Sequence, residues 1–194
     1  MALHPEVRRT LRRLGASFAM AYLAFAMTAG PGPAAFVALS GNLGDAGLYF
    51  ALFVLSSAGG AGAGGALMDL RGRRPVLLAA HVLMTLGYLL MGLALQRGAL
   101  VWFIGGIALA GVGMGAAFLS RLAAADLFPP AERGRGVAWV LVSATAGAVA
   151  GPLLLIASEP LGALLGRDPA ALVWLFAPPL LLVSTGLVAT MPEP

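Results

Sequence analysis

Long uncharged apolar runs alternate with short arginine-bearing turns along most of this 194-residue chain. Ala46–Met68 contains no charged residue, and Pro75–Gln96 contains only His81 as a titratable side chain of the usual acid–base types. A bilayer's hydrocarbon core is roughly 30 Å thick, which a helix crosses in about 20 apolar residues. Measured that way the chain reads as six spans: Ala16–Leu39, Ala46–Met68, Pro75–Leu95, Ala99–Ser120 (closed by Arg121), Val137–Ala157 and Ala170–Thr190. The connections are short, so successive helices run antiparallel. The predicted fold class is an all-α membrane protein with six transmembrane helices. Residues 1–15 form a basic lead, 16–190 one membrane domain and 191–194 a tail.

Composition agrees. The chain is 60% hydrophobic with a mean hydropathy of +0.92, and 10% of it is charged. Soluble domains carry about 25% charged residues, so a water-soluble reading fails. The net charge is +4, and all twelve basic residues are Arg. Their placement argues for a membrane and against nucleic acid. Arg8, Arg9, Arg12 and Arg13 precede span one, Arg71, Arg73 and Arg74 separate spans two and three, and Arg121, Arg133 and Arg135 separate spans four and five. Only Arg97 and Arg167 fall on the other side. Cytoplasmic loops gather arginine, which predicts that both termini are cytoplasmic. The Ala, Gly, Leu and Arg bias without Lys points to a GC-rich bacterial genome and so to a bacterial inner membrane. With no Cys there is no disulfide or thiolate metal site. A cleavable signal peptide would need a shorter apolar run than the one reaching Leu39.

The turn Gly65-Ala66-Leu67-Met68-Asp69-Leu70-Arg71-Gly72-Arg73-Arg74 is the most specific motif. It resembles the signature loop between helices two and three of the major facilitator superfamily, Gly-x-Leu-x-Asp-Arg-x-Gly-Arg-Arg/Lys. Gly65, Leu67, Asp69, Gly72, Arg73 and Arg74 match, Leu77 matches the trailing apolar position, and Leu70 departs. Span five adds a partial match to that family's antiporter pattern, a run of glycines ending in Gly-Pro. Gly147, Gly151 and Pro152 fit; Ser143 replaces the leading Gly, and Leu155-Ile156 the trailing pair. The inner turn Pro129–Gly136 is similar to the family's turn before span five. Span four departs, with Leu109 where many proton-coupled members carry Arg.

The resemblance covers essentially the whole chain and implies the N-terminal half bundle of a twelve-helix carrier. It makes Gly65, Asp69, Gly72, Arg73 and Arg74 a gating loop that latches two halves together. It also implies a second half, supplied by a homo-oligomer or a separate chain, and a small solute as cargo, with drug-like efflux favoured. Two other readings remain open at this stage: a truncated fragment without transport, and a membrane-embedded assembly subunit.

Several features are weighed beside this. Gly30-Pro31-Gly32-Pro33, Gly151-Pro152 and Pro178-Pro179 are expected to interrupt spans one, five and six, because proline removes a backbone donor. Ser56/Gly60/Gly64, Gly111/Gly115 and Ser143/Gly147/Gly151 form small-residue stripes suited to close helix packing. All eight acids lie in predicted loops or tails, so no buried carboxylate relay is expected. His81 shares a helix face with Thr85, Tyr88 and Gly92; it reads as a packing histidine or as a proton sensor. Tyr22, Thr28 and Tyr49 are cavity candidates. Gly60–Gly65 satisfies a nucleotide-loop spacing but follows no strand. Ala38-Leu39-Ser40-Gly41 lacks the first Gly of an intramembrane serine protease motif. No enzyme, cofactor or metal is expected.

Overall fold

The computed structural model describes residues 4–166 and 169–191; Arg167, Asp168 and the Pro192–Pro194 end, with Glu193, lie outside them. The described residues form the helices α1 (Pro5–Ala29), α2 (Pro31–Ser40), α3 (Ala46–Arg71), α4 (Arg73–Arg97), α5 (Leu100–Ala117), α6 (Ser120–Ala125), α7 (Arg133–Ala157), α8 (Glu159–Leu165) and α9 (Pro169–Ala189). Five helical stretches are long and apolar enough to cross a membrane, and α1 with α2 makes a sixth as one span bent by 50°. The basic lead is itself helical: α1 starts at Pro5, a residue suited to a first helical turn, and runs unbroken into span one. Residues expected to lie in loops form α6, α8 and a short 3-10 turn, Pro130–Glu132.

Of the three expected interruptions only the first is one. The chain bends at Gly30, where a Cβ would meet nothing within 4 Å. Pro31 leaves the carbonyl of Met27 without its helical donor, and no packed neighbour holds the axis straight there. By contrast α7 runs through Gly151-Pro152 and α9 through Pro178-Pro179 without a break. At Gly151 the reason is packing. A Cβ there would lie 2.7 Å from Ala26 Cβ and from the Met27 amide, so α1 clamps α7 in place.

The helices pack as an open arc. In order the neighbours are α3, α5, α4, α9, α1 and α7. Exchanging spans one to three for spans four to six maps this order onto its reverse, so the two triplets are related by an approximate twofold. The arc's centre is buried and its tips are not. Of the most apolar stretches, 50% of that in α4 and 44% of that in α9 are buried, against 17% for the span containing α3 and 22% for that containing α7.

Glycine seams hold the arc. A Cβ at Gly147 would sit 2.0 Å from the Ala19 carbonyl oxygen, at Gly115 1.9 Å from that of Ser57, and at Gly60 2.1 Å from that of Val112. Backbones touch there because no side chain intervenes. In lipid, which supplies no hydrophobic gradient between helices, such packing is what drives association. Aromatic rings fill the wider gaps. At the end away from the arginine-rich turns, Tyr49, Phe36 and Trp174 surround Phe103 with centroids 5.6–6.3 Å away.

Candidate functional site

The tight turn between α3 and α4 is a single residue. Gly72 ends one helix and opens the next, its amide donating to the Met68 carbonyl at 3.0 Å. Its φ of +85° lies where a side chain is strained, which accounts for glycine here. The turn throws Arg73 across to the C-terminal end of α6. Its Nη2 lies 2.9 Å and its Nε 3.1 Å from Asp126 Oδ2, while Nη1 reaches Met68 Sδ at 3.6 Å. Arg74 goes the other way. Its Nη2 donates to the Ala189 carbonyl at 2.6 Å, and Arg13 donates to the carbonyl of Thr190. Two guanidinium groups thus close the C-terminus of α9, the negative end of its dipole. The turn therefore ties α3, α4, α6 and α9 together at one end of the bundle.

Asp69 is exposed in the last turn of α3 and lines a hollow of about 400 Å³ with Gly72, Arg73 and Asp126. It has no ion-pair partner among the described residues. The C-terminal end of its own helix is an unfavourable place for a carboxylate. Gly65 stands one turn earlier on the same face, and a Cβ there would meet nothing within 4 Å. The gating-loop residues thus divide. Arg73 and Arg74 are engaged within the chain, whereas Asp69 has no ion-pair partner among the described residues and a Cβ at Gly65 would touch nothing.

Asp126 is the residue that the sequence reading left without a role. It lies 53 positions from its partner. The available signal was an acid at the boundary of span four, on the same side of the bundle as the basic turn.

The span-five residues Gly147 and Gly151 form the seam with α1, and Pro152 is exposed beside it. Tyr22 is partly exposed. It packs edge-on against Phe18 and Phe118, at 5.0 and 5.7 Å, and the Arg121 guanidinium lies 5.4 Å above the Phe118 ring. Phe25, 6.5 Å from Tyr22, stacks on Phe53 at 4.8 Å, so an aromatic ladder bridges α1, α5 and α3. Thr28 and Tyr49 are fully buried instead. The Thr28 hydroxyl bonds the Ala24 carbonyl at 2.9 Å and lies 3.3 Å from the Tyr88 hydroxyl. Gly32 makes room for the Tyr49 ring, since a Cβ there would lie 2.3 Å from it. His81 is fully buried too; its Nδ1 donates to the Leu77 carbonyl at 2.8 Å and its Nε2 has no partner. The structure does not bring His81 to the gating loop or to the ladder.

Comparison with known proteins fits this architecture. No curated protein matches the chain. Among solved structures it is similar to the xylose transporter XylE from E. coli, in its inward open conformation, with a TM-score of 0.71 and 20% sequence identity. The match covers 95% of this chain and 48% of that one, so the chain spans about half the length of this relative. At that identity the likeness speaks for the fold. The family model described as Major Facilitator Superfamily matches residues 14–194. The arc of six spans, the one-residue turn with its arginine pair and the extent of that match lead to one conclusion: the chain belongs to the Major Facilitator Superfamily.

Proposed function

We propose that the chain is one half of a secondary transporter, working with a second six-span bundle to move a small amphipathic solute. The observation that carries this is the outer face of α3. Ala58, Gly59, Gly62, Ala63 and Ala66 are all exposed and recur at helical spacing on one side, a flat stretch between the exposed Leu55 and Leu70. A Cβ at Gly59 or Gly62 would meet nothing within 4 Å. Large apolar residues give a lipid-facing helix more contact with acyl chains; a row of glycine and alanine suits a second helix instead. The second bundle is another copy of this chain or a separate half. Asp69 lies on the last turn of the same helix, where the N-terminus of an approaching helix would stabilise its charge.

The solute class follows from the described spans. They hold no carboxylate within their apolar stretches, and the half-buried rings of Tyr22, Phe25 and Phe118 offer an aromatic surface. Such a surface favours a flat amphipathic solute over a polyhydroxylated one, which is the basis for preferring drug-like efflux. In a bacterial inner membrane with the arginine-rich end inside, both termini are cytoplasmic.

The test is flux of a fluorescent amphipathic solute from vesicles containing the chain with its partner bundle. Asp69→Asn is expected to lower flux at least tenfold with unchanged membrane insertion. Unaltered flux removes the latch. Absence of flux in every oligomeric state, with insertion intact, favours an assembly subunit.

A further inference from the structure

The first three turns of α1 are built against their own electrostatics. Arg8 and Arg9 stand near the positive end of the helix dipole, where cations are disfavoured, and Arg12 and Arg13 follow one turn on. Arg8 with Arg12 and Arg9 with Arg13 are like-charged i,i+4 pairs, which destabilise a helix further. Glu6 is the only acid in the first turn, and none of Arg8, Arg9 and Arg12 is ion-paired among the described residues. The four arginines line one hollow of about 450 Å³, which Pro5 borders at the start of the helix, and Ala16 and Leu187 on the membrane side. Positions 5, 8, 9, 12, 13 and 16 fall on a single helical face. Arg13 is further anchored by its bond to the Thr190 carbonyl across the same α1–α9 junction.

We infer that this hollow binds the headgroup of an anionic glycerophospholipid, with the phosphate among the arginines and an acyl chain along Ala16 and Leu187. The shape supports a lipid over a free anion, because the basic part opens directly onto apolar side chains of two membrane-spanning helices. Arginine suits the task, since its planar fork meets phosphate oxygens two at a time. Basic hollows between spans, at the membrane surface, are where such headgroups are recognised. Orientation by positive charge alone requires no such register. Arginines anywhere in the lead would serve it, whereas these four share one face over one groove.

Native mass spectrometry of the detergent-purified full chain tests this, with phosphatidylglycerol and phosphatidylcholine offered in equal amounts. One phosphatidylglycerol is expected to remain bound where phosphatidylcholine is stripped. Arg8→Gln with Arg12→Gln should cut that occupancy at least tenfold, while Arg133→Gln with Arg135→Gln, an equal change in charge elsewhere, should not. Leu187→Trp fills the groove and leaves every arginine in place. It should also expel the lipid, and it covers the case in which the glutamine variant fails to insert. Retention by Leu187→Trp, or equal loss in the Arg133/Arg135 variant, overturns the assignment. Displacement by inorganic phosphate or glycerol 3-phosphate at comparable concentration overturns the lipid in favour of a free anion.

Discussion

Arg73 and Asp126 keep 32% and 46% of their side-chain surface exposed, and this decides what their pair does. An exposed ion pair is worth about 0–1 kcal/mol, too little to hold six spans together. It is well suited to something that has to open. Arg73→Gln or Asp126→Asn should therefore shift the thermal midpoint of the purified chain by no more than about 2–4 °C, the response of a chain this size to 1 kcal/mol. In the two-bundle transporter proposed above, the same variants should lower solute flux at least tenfold, and the exchange Arg73→Asp with Asp126→Arg should recover part of it. A large midpoint shift with normal flux would make the pair purely structural. At this scale the sequence was legible where chemistry is local. Gly72 was expected from its motif, and its φ of +85° supplies the reason. Asp126 was not, because nothing in a turn near residue 126 reveals which of several nearby arginines will reach it through folded space. Tyr49 and Thr28 have the same difficulty. Polar side chains in apolar runs can line a cavity or meet each other, and Gly32's clearance for the Tyr49 ring exists only after the span has bent.

The helices divide their glycines into two populations that share one composition. Gly147 and Gly115 lie where a methyl group would enter a neighbouring backbone, at 2.0 and 1.9 Å from a carbonyl oxygen. Gly59 and Gly62 lie where it would meet nothing. Overpacking a tight contact costs about 1–3 kcal/mol, whereas alanine in an open helical position gains up to about 1 kcal/mol from propensity. Gly147→Ala and Gly115→Ala are thus expected to lower the unfolding free energy of the isolated chain in detergent by about 1–3 kcal/mol. Gly59→Ala and Gly62→Ala should leave it equal or higher; equal losses at all four would mean that the seams do not hold the bundle. The span count was legible because arginines punctuate the apolar runs, and the small-residue stripes were legible as packing faces. Which prolines bend their helix was not. Pro31 and Pro152 look alike in sequence, yet α1 bends beside an uncontacted Gly30 while α7 is clamped through Gly151. That difference belongs to the neighbour, which a single helix does not encode.

At the level of the whole molecule the arc has two tips and they are unequal. The exposed side of α7 presents Leu141, Val142, Val149 and Leu153, large side chains that acyl chains solvate well. The exposed side of α3 presents Ala58, Gly59, Gly62, Ala63 and Ala66 as a flat stretch between the exposed Leu55 and Leu70, with Asp69 at its arginine-rich end. A bundle that ended its contacts here would leave this flat stretch to lipid, where it gains least dispersion contact. If a second bundle covers α3, a bulky residue there should separate assembly from folding. Gly62→Trp is expected to leave the chain's own thermal midpoint within about 2–4 °C, a change of under 1 kcal/mol, because a Cβ there would meet no neighbouring helix within 4 Å. The same substitution should abolish the larger particle on mass photometry in nanodiscs and take transport with it. Leu153→Trp on α7, also exposed but already large, should do neither. The natural absence of cysteine gives a second reading of the same surface, because an introduced Gly62→Cys is the sole thiol. It should react rapidly with a membrane-permeant maleimide in the isolated chain and slowly in the assembled carrier. Rapid labelling in both, with the large particle intact, would place the partner's contact elsewhere on the arc and leave the small-residue face of α3 to lipid.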